Sequence, residues 1–133
     1  MSPEESQENP NRMRGGIEFD AMLEELGFVE TDELRVLRLA AQDAFLLGDI
    51  ELMADTSDTY YSLGQKIVDL RSGQDYELAQ IGFCIASGRL HRDTGKLQAY
   101  IDDLEDASMY ARNRGYDDLV VVLEEAMLQA DVI

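Results

Sequence analysis

The sequence predicts an all-α fold: a compact bundle or array of five to six helices with a disordered N-terminal tail. Three observations carry that expectation. Both prolines, Pro3 and Pro10, stand near the N-terminus, so no later proline interrupts a helix from within. Glycines punctuate the rest, most followed within a few residues by Asp or Thr: Gly27 then Thr31, Gly48 then Asp49, Gly73 then Asp75, Gly88 then Asp93 and Thr94, Gly115 then Asp117. Glycine just past a helix end adopts the left-handed conformation cheaply, and Asp or Thr accepts bonds from the first free amides of the next helix. Between these breaks the apolar residues recur at intervals of three and four, the period of a helix face.

Taken in order, residues 1–16 are polar, carry both prolines and end in Gly15-Gly16, which marks a disordered tail; residues 17–133 then form a single all-helical domain. The first helix, about 17–26, offers Phe19, Met22, Leu23 and Leu26. The second, about 32–47, carries a wide apolar arc from Leu34 to Leu47 that suggests a central position. The third, about 50–72, aligns Met53, Thr56, Tyr60, Leu63, Ile67 and Leu70 and is the longest. The fourth, about 76–87, is mostly apolar through Ile81, Phe83, Cys84 and Ile85 and is expected to be buried, with Gly82 admitting a close neighbour. The fifth, about 94–114, aligns Leu97, Tyr100, Ile101, Leu104 and Ala107, and the sixth, about 118–131, aligns Leu119, Val122, Leu123 and Ala126. Helices two, three and five are expected to form the main body.

A chain of 133 residues buries roughly two thirds of the surface its unfolded form exposes, so no metal or disulfide staple is required. Cys84 is the lone cysteine, and the start "MSPEESQENP" is acidic where a secretory signal is basic and then apolar, so a cytoplasmic location is expected. The longest apolar clusters, such as "LVVVL" at 119–123, fall far short of the roughly 18 residues of a membrane span. With 28 acidic against 11 basic residues the net charge is −17, which disfavours direct binding to nucleic acid or an anionic membrane. The acidity is explained either by a solvated surface of the kind seen in salt-adapted proteins or by a role for the acid itself, as a phosphate mimic or as a surface for a basic partner.

The stretch "RLAAQDAFLLGDIELMA", residues 38–54, reads like one turn of a helical-repeat protein. The tetratricopeptide pattern fails in its second half, where key positions hold Met53, Ser57 and Tyr60, and the breaks at Gly48, Gly88 and Gly115 lie 40 and 27 residues apart, with no fixed period. It is a helical hairpin without a repeat family.

The most unusual segment is "GRLHRDTGK", residues 88–96, read as an interhelical connection. It is not a phosphate-binding loop, because six residues separate its glycines and Leu97 follows the lysine. Arg89, His91, Arg92 and Lys96 are the candidate partner-binding residues: a basic knuckle on an acidic body would orient an incoming carboxylate or phosphate. On that reading, replacing Arg89 and Arg92 by alanine weakens partner capture and leaves stability nearly unchanged.

Other chemistry is thinly represented. His91 is the only histidine and has no ligand-type residue at helical spacing for zinc; Cys84 sits among apolar neighbours without a base; there is no calcium loop and no Glu-x-x-His pair. Asp102, Glu105 and Asp106 fall on a face directed away from Tyr100 and Ile101 and are expected to be solvated. No catalytic, cofactor-binding or metal-binding residue is assigned and no cofactor is expected. The expected function is a non-enzymatic protein–protein interaction or regulatory module, an adaptor or assembly subunit, with an acidic inhibitor occupying a basic nucleic-acid-binding surface as the alternative. The partner is another protein, with a homodimer expected through helix three, where Leu52 and Tyr61 lie off the main stripe.

Overall fold

A computed structural model describes residues 19–132, so the tail expected at 1–16 lies outside the described residues. Six helices follow one another: α1 (Phe19–Glu25), α2 (Asp32–Leu47), α3 (Ile50–Asp69), α4 (Gly73–Asp93), α5 (Leu97–Asn113) and α6 (Asp117–Val132). The starts of α2 and α3 are capped as expected, the Thr31 and Asp49 side chains accepting from the amides of Leu34 and Leu52 at 3.2 and 3.1 Å.

Four helix ends share one device. After α1, α2, α4 and α5 the residue following a glycine donates its amide to a carbonyl five positions back, and the glycine amide reaches three back, which is the Schellman pattern. At the end of α4 these bonds are Lys96 to His91 at 2.8 Å and Gly95 to Arg92 at 3.2 Å. The break therefore falls at Gly95, whose φ is +78°, and not at Gly88. This corrects the sequence reading: α4 runs through Gly88 to Asp93, so Arg89, His91 and Arg92 belong to a helix and only the last of the four basic residues, Lys96, follows it. Gly88 serves packing instead, because a methyl there would come within 3.3 Å of the Tyr100 ring and 3.4 Å of the Asp103 Cβ on α5.

The centre of the bundle is α4, not α2. From Ile85 to Leu90 every residue of α4 is buried, so the helix has no solvent stripe over that length. It packs most extensively with α5, and also with α3, α1 and, lightly, α2. Gly82 lies beneath the α1–α2 connection: a methyl there would stand 2.7 Å from the Cβ of Phe28, which is fully buried. Burying such a phenylalanine contributes about 2–3 kcal/mol, so a short connecting segment holds part of the core. In α2, by contrast, only Leu34, Ala41 and Ala44 are buried, and the arc read as a sign of centrality is partly exposed: the helix packs mainly on α3 at one side of the bundle. Among the described residues no helix is long and apolar enough to cross a membrane.

Candidate functional site

Two polar networks flank the C-terminal half of α4, one on the side of α1 and α2, the other on the side of α3 and α5. The first is built on Glu30, which the α1–α2 connection lowers into the bundle. Arg38 grips its carboxylate with two bonds, Nε at 2.8 Å and Nη2 at 2.9 Å; the Tyr60 hydroxyl donates at 3.0 Å and Arg89 Nη2 at 3.2 Å. The other arm of Arg89 reaches Asp20 at 2.9 Å, and its guanidinium lies 5.4 Å from the centre of the Phe19 ring. Burial alone would raise the Glu30 pKa, but the Arg38 bonds, the charges of Arg89 and Arg38 and the Tyr60 hydroxyl outweigh it and hold the carboxyl below its ordinary value. Burial, reinforced by the charge of Glu30, raises the Tyr60 phenol, so Tyr60 stays a donor. Two carboxylates thus meet two guanidiniums in a charge-balanced cluster whose arms are directed at one another.

The second network joins three helices. The Ser87 hydroxyl donates to Asp103 Oδ2 at 2.8 Å, and the same oxygen lies 2.6 Å from His91 Nδ1. A proton on Nδ1 leaves Nε2 with its lone pair, which accepts the Tyr61 hydroxyl from α3. Burial pushes the Tyr61 phenol up to about 12; a bond with Ser87 opposes this, and the nearby charges of Asp103 and Asp58 add to it. A carboxylate–imidazole–phenol chain is the geometry of a proton relay, yet the phenol at its end is made harder to ionise, the reverse of an activated nucleophile. Cys84, one turn away, is likewise held as a thiol, burial pushing it up to about 11. Among the described residues no three His, Cys, Asp or Glu side chains are placed to hold a metal ion.

The four candidate partner-binding residues are therefore dispersed. Arg89 is 6% exposed and engaged on both arms; His91 is half-buried between Asp103 and Tyr61; Arg92 lies over Phe19 at 4.8 Å and Tyr100 at 5.8 Å, with Asp93 beside it. Only Lys96 is exposed. Tyr61, read as a surplus residue for pairing helix three with a copy, is spent on His91 and on an edge contact with Phe83 at 6.5 Å.

Apolar exposure is concentrated elsewhere. The outer face of α2 and the tip of its hairpin with α3 present Val36, Leu39, Leu46, Leu47 and Ile50, the last three being 73%, 84% and 73% exposed. Phe45 at this tip packs on the α4–α5 turn, where a methyl on Gly95 would approach its ring to 2.6 Å, so Lys96 and Leu97 border the same end of the bundle. On another side, α6 packs chiefly on α5, leaving a cleft of about 640 Å³ between its first turns, the end of α1 and the start of α4. Met22, Leu26, Leu78, Leu119 and Val122 line it, with Glu25, Asp117 and Asp118 among its polar residues. No family model matches the chain, and no curated protein or solved structure shows significant similarity to it.

Proposed function

We propose that the chain is a non-enzymatic protein–protein interaction module that pairs with a second copy of itself through the outer face of α2. The observation that carries this reading is the spacing of that face: Val36, Leu39, Asp43 and Leu46 succeed one another at intervals of three, four and three residues, the spacing of a coiled-coil seam, with Asp43 as the single polar member and the exposed Ile50, first residue of α3, adding apolar surface at the hairpin tip. An exposed seam of this kind gains stability only when another helix covers it. The non-catalytic half of the reading is supported by the protonated state in which Tyr61 and Cys84 are held and by the occupation of both His91 nitrogens.

Each copy carries a net charge of −17, so self-association is opposed by repulsion that salt screens. Light scattering coupled to gel filtration is the test. In about 0.5 M salt, where the screening length is only a few ångströms, the protein is expected to elute as a dimer, and Leu39→Glu/Leu46→Glu as a monomer with an unchanged helical circular dichroism spectrum. A wild-type chain that stays monomeric at every salt and protein concentration, or a double variant that still dimerises, refutes the proposal.

A further inference from the structure

We infer that the cleft between α1, α4 and α6 is a docking site for a cationic segment of a different protein, one that seats one or two apolar side chains between lysines or arginines. The cleft joins an apolar floor, made by Met22, Leu78, Leu119 and Val122, to a rim formed by Glu25, Asp117 and Asp118. Its volume of about 640 Å³ lies within the range of clefts that enclose a compact ligand. None of the three rim carboxylates forms an ion pair among the described residues, whereas Glu77 and Glu124 nearby are matched by Arg114 and Arg112 at 2.9 and 2.8 Å.

Local helix stability accounts for only part of that rim. Asp117 and Asp118 occupy the first turn of α6, where a carboxylate complements the helix dipole. Glu25 has no such reason: it ends α1, where a negative charge opposes the dipole and no basic residue stands in the last turn. Three negative charges exceed the roughly half positive charge at the start of α6, so the rim as a whole attracts cations. A second copy of this chain, itself strongly acidic, is the wrong occupant on charge, and a purely apolar partner would leave the carboxylates facing a surface with nothing to pair them. The inference does not depend on pairing through α2, because a monomer presents the same cleft.

The probe is a fluorescein-labelled, N-acetylated, C-amidated helical peptide of roughly 15 residues, with leucines on one face and lysines elsewhere, read by fluorescence anisotropy and by amide chemical-shift mapping. A control peptide keeps every lysine and replaces each leucine by serine. The leucine peptide is expected to shift Met22, Leu78 and Leu119 and to bind at least about tenfold tighter than the serine control, the effect of seating one apolar side chain. The Glu25→Gln/Asp117→Asn/Asp118→Asn variant, checked by circular dichroism, is expected to lose at least about fivefold in affinity. Equal binding of the two peptides, an affinity the variant leaves unchanged, shifts confined to another face, or no binding at all would each overturn the inference.

Discussion

Replacing Arg89 by alanine tests whether this guanidinium holds the fold together or waits for a partner. Its bond to the buried Glu30 carboxylate is charge-assisted, and such bonds contribute about 1.5–3 kcal/mol. The pair with Asp20 adds less than about 1 kcal/mol, since that aspartate side chain is 89% exposed. Losing the buried stem costs about 0.8 kcal/mol per methylene, while removing Arg89 Nε, a buried donor without a partner, returns about 1 kcal/mol. Glu30 keeps both Arg38 bonds and the Tyr60 hydroxyl, so the full penalty of an abandoned charge is not incurred. The net is a loss of about 3 kcal/mol, or roughly 10 °C in melting temperature for a domain of this size. Urea unfolding followed at the helical circular dichroism band measures it, with Lys96→Ala as the exposed control expected to stay within about 0.5 kcal/mol. A loss below about 1 kcal/mol for Arg89→Ala would refute the assignment of Arg89 to the core and restore it as a candidate for partner contact.

Other consequences follow from packing and charge. Gly82→Ala is expected to destabilise by about 1–3 kcal/mol, because the new methyl meets the Cβ of Phe28 at 2.7 Å and neither backbone can yield, whereas Gly88→Ala, with its nearest neighbour at 3.3 Å, is expected to be nearly neutral; paired urea melts separate them. Since Tyr61 is raised to about 12 in the folded chain, its contribution is complete below pH 10, the ordinary tyrosine value, and disappears as pH climbs from 10 through 12; Tyr61→Phe is expected to flatten that part of the stability profile. Glu30, held below its ordinary value, acts in the opposite sense: its contribution is present above about pH 4.5 and is lost as acid protonates it, so acid unfolding of Glu30→Gln is expected to be less steep. Molar salt is expected to raise the melting temperature by several degrees, through screening of 28 carboxylates, and an unchanged value would mean that repulsion is not limiting.

Helix identity was legible because glycine chemistry and apolar period are both local signals, and the polar networks were not, because they are assembled by contacts distant in sequence. "GRLHRDTG" holds two glycines; only the left-handed Gly95 ends the helix, while Gly88 is required by the approach of Tyr100, a fact that resides on α5. Asp103 offered a readable signal: it shares the face of Tyr100, Leu104 and Ala107 at helical spacing, so one carboxylate of the run 102–106 points inward to Ser87 and His91. Glu30 gave less, since nothing local distinguishes an acid in a connection that folds into the core from one in solvent. The breadth of the apolar arc on α2 measured hydrophobicity correctly and location wrongly, because period reports a face and not what covers it.

Tyr60 and Tyr61 are adjacent in sequence, yet one fastens to Glu30 and the other to His91. Successive residues of a helix point about 100° apart, so α3 spans the junction between the two networks like a double latch. Since α2 packs mainly on α3 and only lightly on α4, these two hydroxyls, together with the grip of Arg38 on Glu30, tie the α2–α3 hairpin to the rest of the bundle. Swinging that hairpin outward would break these ties together while leaving α4, α5 and α6 assembled, a partial opening that costs less than global unfolding. Amide exchange would then fall into two tiers, the hairpin being the faster, and removing both hydroxyls at once would raise the exchange of the hairpin amides further, towards that of a detached unit. An open hairpin of this kind is also the segment two copies could trade, each inserting its α3 beside the other's α4.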